Sequence, residues 1–293
     1  MLKKGVLLYQ GAAGKGGEDL ATIVPLLSQR VEELIIKKSS KPGDLNNYIE
    51  QLDSTVETLW ILGGDGTVHE CVQALRDKEQ IPPIGILPGG TCNDIARSLN
   101  IPMQMDLAVE SSLNGEIRYF DLGLLRDRSF QNFAGIGLIA ETSTNINPDG
   151  KELFGPLSYF ASAWRTMKEA KQFTYSLTVD GEKISGEAFM VIVCNGRFVG
   201  TRELPFNELK MDDGILDVMV VKATGMQLFM EWYQRSRELE VESDGVEHYR
   251  GKEIVIETDD EMDVDMDGEL IGKTPLHISL KERHIPFITN SSE

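Results

Sequence analysis

Apolar positions in the first 120 residues fall into short, dense runs separated by polar turns. GVLLYQ (5–10), VEELIIKKS (31–39), TLWIL (58–62) and PIGIL (83–87) read as strands. Between them the spacing becomes helical. GDLNNYIEQL (43–52) forms one candidate helix, and Val68, Cys71, Val72 and Leu75 lie at i, i+3, i+4 and i+7 on one face of another. Ile95 and Leu99 continue a further helix, which Thr91 and Asp94 open as a shortened capping box. Strand and helix in alternation predict a mainly parallel α/β sheet. Past Phe120 the texture changes. YFDLGLL and SFQNFAGIG read as successive strands, NPDGKELFGP (147–156) as a break and 157–171 as a helix. FTYSLTV, a DG turn and EAFMVIVCNG carry a hairpin signal. DVMVVKA, a helix near 226–239 and three further strand candidates complete a largely antiparallel, sandwich-like β domain. The expected boundaries are 1–122 for the α/β domain and 123–285 for the β domain, with the C-terminal tail returning to the first. No low-complexity linker or repeat separates them, so the two are expected to pack together.

Composition narrows the function. The chain has 293 residues, 41% hydrophobic and 26% charged, enough for real cores in one large or two medium domains. Its net charge of −18 argues against nucleic-acid binding and disfavours general adhesion to an anionic membrane. No run approaches the ~18 apolar residues of a transmembrane span. The apolar stretch after the N-terminus is too short for a signal peptide and leads straight into glycines. Cys71, Cys92 and Cys194 are far apart and read as reduced thiols of a cytoplasmic protein; the four histidines show no zinc spacing.

Three glycine-rich turns each follow a predicted strand and precede a predicted helix: GAAGKGG (11–17), GGDGT (63–67) and PGGTCND (88–94). Such turns gather at the carboxyl ends of parallel strands, where ligands bind. Helix N-termini there offer free N–H groups to anions, and a nucleotide triphosphate is the expected guest. One such turn alone is weak evidence. GGDGT says more, because a carboxylate inside a phosphate-friendly loop makes sense if Asp65 orients Mg²⁺ or its water shell; the alternative is a turn-stabilising Asp. Neither a GxxxxGK[ST] loop nor the HRD and DFG set of protein kinases is present.

WILGGDGTVHE followed by GILPGGTCNDIARSL resembles the diacylglycerol kinase catalytic-domain family, which includes soluble bacterial diacylglycerol kinases and the sphingosine and ceramide kinases. NAD kinases and phosphofructokinases share the first block but not the second. The resemblance implies a nucleotide domain of NAD kinase or phosphofructokinase type, a β-sandwich domain that takes the acceptor, and dependence on ATP and Mg²⁺. It implies that Gly63, Gly64, Asp65, Gly66, Thr67 and Thr91 contact ATP or its Mg²⁺, that Gly90 and Asn93 belong to the same nucleotide-binding set, that Ser39 stands where the family often has a nucleotide-contacting Thr, and that Asn93 and Asp94 shape the loop and the cleft. The first loop, with Gly11, Gly14 and Lys15, departs from the family's Asn-Pro-x-Ser-Gly, since Gln10-Gly11-Ala12-Ala13-Gly14 lacks the Ser hydroxyl and the Pro. Lys15 either compensates or is a solvated lysine.

Two acidic stretches remain. LKMDDGILDV (209–218) reads as a hairpin turn with exposed acids; by resemblance it holds a structural Mg²⁺ on Asp213 and the carbonyls of Lys210 and Ile215. Residues 259–269 contain seven acids, and DVDMDGELIGKT (263–274) matches the first half of an EF-hand loop. Thr274 takes the place of the bidentate Glu, and the alternation of Met262, Val264 and Met266 with Asp263, Asp265 and Asp267 has a strand's period, so Asp263 and Asp265 are expected on a solvated face. Asp267-Gly268-Glu269 resembles the family's DGE motif, which implies Glu269 as general base with Asp267 beside it. The expectation is a cytoplasmic lipid kinase, peripheral at the inner membrane face, whose acceptor lies at the membrane surface; bacterial relatives often dimerise, so a homodimer is compatible with the family. A kinase of a soluble alcohol and a catalytically silent nucleotide-binding regulator are the alternatives.

Overall fold

The computed structural model describes residues 1–10, 16–144, 171–205, 209–223 and 245–290. Contacts divide the chain into two units: Met1–Phe120 with Arg283–Glu293, and Asp121–Glu282.

The first unit is an α/β domain. In chain order it holds β1 (Leu2–Gln10), α1 (Gly16–Ser28), β2 (Val31–Ser39), α2 (Asp44–Glu50), β3 (Thr58–Gly63), α3 (Asp65–Leu75), β4 (Ile84–Pro88), α4 (Asp94–Ser98), α5 (Met105–Asn114) and the start of β5 (Glu116–Leu125). The sheet runs β2-β1-β3-β4, all parallel. Its next strand is the C-terminal end of the chain, where Phe287 pairs in parallel with Ile84. The central strand β3 is buried along its whole length, as a strand covered on both faces requires. Val68, Cys71, Val72 and Leu75 form the buried face of α3, as their spacing predicts. Chain order reverses between β1 and β3, so the carboxyl ends of these two strands flank a topological switch point, the usual ligand crevice of an open α/β sheet.

Two expectations are corrected in this unit. The helix after PGGTCND begins at Asp94; Asn93, at φ +53, takes the N-cap position instead of Thr91, and its own side chain makes no capping bond to the helix. That helix also ends at Ser98, and a separate one, α5, follows where the sequence reading placed nothing.

The second unit is an antiparallel β-sandwich. It continues with β6 (Arg128–Phe130), β7 (Phe133–Gly137), α6 (Leu138–Thr144), β8 (Phe173–Val179), β9 (Glu182–Ala188), β10 (Met190–Cys194), β11 (Phe198–Val199), β12 (Arg202–Glu203), β13 (Leu216–Val221), β14 (Val246–Gly251), β15 (Ile254–Thr258), β16 (Asp263–Met266), β17 (Glu269–Lys273) and β18 (Leu276–Thr289). One sheet carries β18-β15-β8-β9, with β5 and β6 attached; the other runs β14-β13-β10-β7-β16-β17. Strand alternation builds two cores. Val191 and Val193 join Tyr175, Leu177, Ile254 and Ile278 between the sheets, whereas Met190, Ile192 and Cys194 line the other face with Leu138 and Leu204.

Here too the structure redraws two elements. The DG turn (Asp180 φ +48, Gly181 φ +91) folds β8 onto β9, and EAFMVIVCNG is divided between β9 and β10, which lie in different sheets. SFQNFAGIG is likewise two strands, β6 and β7, broken at Gln131-Asn132. The helix expected over 226–239 and nearly all of the one over 157–171 lie outside the described residues.

Candidate active site

On the nucleotide side, β3 ends at Gly63 and α3 begins at Asp65, so the first turn of α3 opens at the switch point. The glycines of GGDGT have different tasks. A Cβ on Gly63 would lie 2.5 Å from the Thr67 side chain, and one on Gly90 would lie 2.4 Å from the Gly64 Cα. Gly63 therefore makes room for Thr67 within its own turn, while Gly64 and Gly90 let the two loops touch. Gly66 is exposed, with nothing within 4 Å of a Cβ, and leaves the backbone of α3 open to a ligand. The PGGTCND loop is closed on itself: the Asn93 carboxamide donates to the Gly90 carbonyl and accepts from the Gly90 N–H, both at 2.9 Å. Thr91 stands exposed at its tip.

Asp65 joins the loops. Its Oδ1 accepts the N–H of Ile95, in the first turn of α4, at 2.9 Å. A carboxylate on a helix N-terminus stabilises that end, so the anion-binding amide of α4 is engaged by Asp65. Thr67 donates its hydroxyl to Gln10 Oε1 at 3.0 Å, which ties α3 to the end of β1. Gln10 pairs in register with buried Ser39, and both line a cavity of about 500 Å³ with Lys38, Lys41 and Glu70. That volume suits a small-molecule ligand. Gly11, Gly14 and Lys15 lie outside the described residues.

The acidic stretch at 263–269 is a tight hairpin. Asp267 (φ +50) and Gly268 (φ +87) form its two-residue turn between β16 and β17. Asp265 is not solvated: it is 0% exposed and its Oδ1 accepts the Gly268 N–H at 2.9 Å. Strand period alone put it on a wet face; β16 is covered on one side by the sandwich core and carries Asp265 inward on the other, where the turn needs an acceptor. The Asp267 carboxylate is engaged on both oxygens. Oδ1 accepts the N–H groups of Asn132 and Phe133, and Oδ2 that of Gln131, all at 2.9 Å. This is why the strand breaks at residues 131–132. Glu269 differs: its side chain is 63% exposed, and Arg128 Nη1 lies 3.7 Å away. Sequence reasoning missed the segment that receives Asp267. The adjacent carboxamides in SFQNF were the available signal.

At the second acidic turn, Asp213 Oδ1 accepts the Ile215 N–H at 3.2 Å and Oδ2 meets the Arg250 guanidinium at 2.6 Å. Gly214, at φ +73, donates its N–H to Asp121 Oδ2 at 2.7 Å. Among the described residues no three His, Cys, Asp or Glu side chains are grouped to hold a metal. The donor set expected from the sequence is of a different kind, one carboxylate and the backbone carbonyls of Lys210 and Ile215. All are hard oxygens suited to Mg²⁺, and an ion bound there would share Asp213 with Arg250. Cys71 and Cys194 are fully buried, and desolvation pushes both thiols well above their ordinary pKa, as expected of inert core cysteines.

Residues 4–125 match the family described as "Diacylglycerol kinase catalytic domain", and residues 133–288 match "YegS C-terminal NAD kinase beta sandwich-like domain". A Staphylococcus aureus (strain N315) protein named "Putative lipid kinase SA0681" is 32% identical over 97% of this chain and 96% of its own length. Two solved structures from Bacillus anthracis str. Sterne each cover 99% of this chain and 97% of their own. One, titled a "putative diacylglycerol kinase", superposes with a TM-score of 0.87 at 35% identity; the other, titled as one of the "diacylglycerol kinases", does so at 0.82 and 31%. Two matched domains in the right order, and full-length identity above 30%, place the chain in the diacylglycerol kinase catalytic-domain family of lipid kinases.

Proposed function

We propose that this protein is an ATP- and Mg²⁺-dependent lipid kinase that transfers the γ-phosphate to a primary hydroxyl of diacylglycerol or a related lipid. The observation that carries this reading is the division of labour in the DGE turn. Asp267 is spent on three backbone N–H groups, while Glu269, two residues on, is left exposed on a fixed hairpin. A general base needs that combination of a reachable carboxylate and a rigid support.

The geometry supports the following roles. The open N-terminus of α3 at Gly66 and the Thr91 tip receive the phosphates; the cavity at Gln10 and Ser39 receives the rest of the nucleotide. Asp65 holds the two glycine turns in register, and its carboxylate would orient a phosphate-bound Mg²⁺ or its water shell. Bound Mg²⁺ supplies neutralisation of phosphate charge. Glu269 accepts the proton of the lipid hydroxyl as its oxygen bonds to the γ-phosphorus and the bond to the departing ADP breaks. Asp213, with the Lys210 and Ile215 carbonyls, holds a second Mg²⁺ of structural character. The protein works as a cytoplasmic enzyme at the inner face of the membrane, where it meets its acceptor.

Transfer from labelled ATP across a panel of lipids tests the proposal; a diacylglycerol-class product is expected, and no labelled lipid from any member would overturn it. The charge of −18 favours a second reading, a soluble alcohol as acceptor. Turnover of a water-soluble alcohol that is indifferent to added liposomes would select it.

A further inference from the structure

Three buried carboxamides, those of Gln131, Asn132 and Asn195, lie behind the DGE turn, and the proposed mechanism gives them no task. Asn195 follows the last residue of β10 and is 1% exposed. Its Nδ2 donates to the carbonyls of Asp121 (3.0 Å) and Gln131 (3.1 Å). Its backbone N–H, with that of Gly196, reaches the Asn132 carbonyl at 2.9 Å. The Asn195–Gly196 step must stay small, because a Cβ on Gly196 would lie 2.6 Å from Asn132 Oδ1.

We infer that Asn195 is a positioning residue for the proposed base: it grips segment 131–133 so that Asp267, and through it Glu269, keeps a fixed orientation. The inference rests on the reading of Glu269 as base. The Gln131 carbonyl and the Asn132 N–H belong to one peptide unit, and the Asn132 carbonyl and the Phe133 N–H to the next. Each unit is held at both ends, its oxygen by Asn195 and its N–H by the Asp267 carboxylate. Hydrogen bonds in series polarise one another, so the grip on oxygen strengthens the donor that faces Asp267. The hairpin is also joined to β7 through its backbone, where the Asp267 N–H donates to the Phe133 carbonyl at 3.0 Å, so segment 131–133 meets the turn from both its carboxylate and its main chain. β17 is the edge strand of its sheet, and Glu269 is mostly exposed, so the orientation of Glu269 is set by the turn that precedes it.

The cluster is poorly built for stability alone. Asn195 Oδ1, Asn132 Oδ1 and both polar atoms of the Gln131 side chain are buried without a hydrogen-bond partner among the described residues. Buried carboxamides cost stability unless each is satisfied, so their concentration behind the DGE turn fits a role in its geometry.

The test compares Asn195→Ala, Glu269→Gln and the double variant, with labelled ATP and the lipid that the wild type turns over best, well below the melting temperature of each. Asn195→Ala is expected to lower kcat about tenfold or more with the KM for ATP unchanged, the scale of loss for a misplaced catalytic group. The double variant is expected to be no slower than Glu269→Gln alone. Full kcat in Asn195→Ala, or losses that multiply in the double variant, would overturn the inference, since a filler of the core acts independently of Glu269. If Asn195→Ala does not fold, Asn195→Asp keeps the volume, removes both donors and is scored in the same way. Full activity in Glu269→Gln sinks the base assignment itself, whatever Asn195 does.

Discussion

The two Asp-Gly steps of this protein look alike in sequence and differ in what they leave available. Asp65-Gly66 opens a helix; Asp267-Gly268 closes a hairpin. Both aspartates bind backbone N–H groups of a distant segment, Asp65 that of Ile95 and Asp267 those of residues 131–133. Asp65 gives Oδ1 to a helix terminus beside an open backbone. Asp267 gives both oxygens to three donors and becomes part of the scaffold.

The sharpest way to break this comparison is to remove the two carboxylates of the hairpin one at a time. Glu269→Gln should lower kcat by about 10²–10⁴, the range for general-base loss, with no change in the melting curve, because the side chain is exposed. Near-wild-type turnover would show that the hairpin presents nothing. Asp267→Ala should behave differently, destabilising by about 3 kcal/mol because three N–H groups lose a charged acceptor. Its melting temperature should fall by roughly 6–12 °C, converted at about 2–4 °C per kcal/mol. Unchanged stability in calorimetry would remove Asp267 from the scaffold.

On the nucleotide side the glycines separate. Gly90→Ala forces a Cβ to within 2.4 Å of the Gly64 Cα, so it should destabilise by about 1–3 kcal/mol, as overpacking does. Gly66→Ala meets open space and should leave stability within about 0.5 kcal/mol while weakening ATP binding in titration calorimetry. Equal stability losses for the two would collapse the distinction. The smallest effect is expected from the second acidic turn. Chelation of Mg²⁺ should lower the melting temperature modestly, and Asp213→Ala should abolish that response; a chelator-insensitive wild type would remove the ion from Asp213.

The α/β unit was largely legible because its signals are local. Runs such as TLWIL and PIGIL are continuous and apolar, and the face of Val68, Cys71, Val72 and Leu75 repeats at helical spacing. The hairpin of 263–273 was legible too, from Asp267-Gly268 and the missing calcium ligand at Thr274. What escaped depends on partners far along the chain. Asp265 looks solvated by period, yet it is buried because β16 lies between β7 and β17 and the turn needs its oxygen. Thr91 fits a capping pattern, but the N-cap position of α4 falls to Asn93 and its first-turn amide to Asp65, 30 residues earlier. The break at Gln131-Asn132 is set by Asp267, 135 residues from Asn132. No window of sequence contains both ends of such a bond.

The meeting of Gly64 and Gly90 bears on how this site can evolve. Neither position can gain a side chain unless the opposing loop retreats, so two motifs 26 residues apart behave as one heritable unit. Variation that tunes the nucleotide site without dismantling it is confined to places whose side chains face away from that seam, of which Gly66 and Thr91 are the nearest. Lineages that retune phosphate binding should carry their changes there and leave the paired glycines untouched.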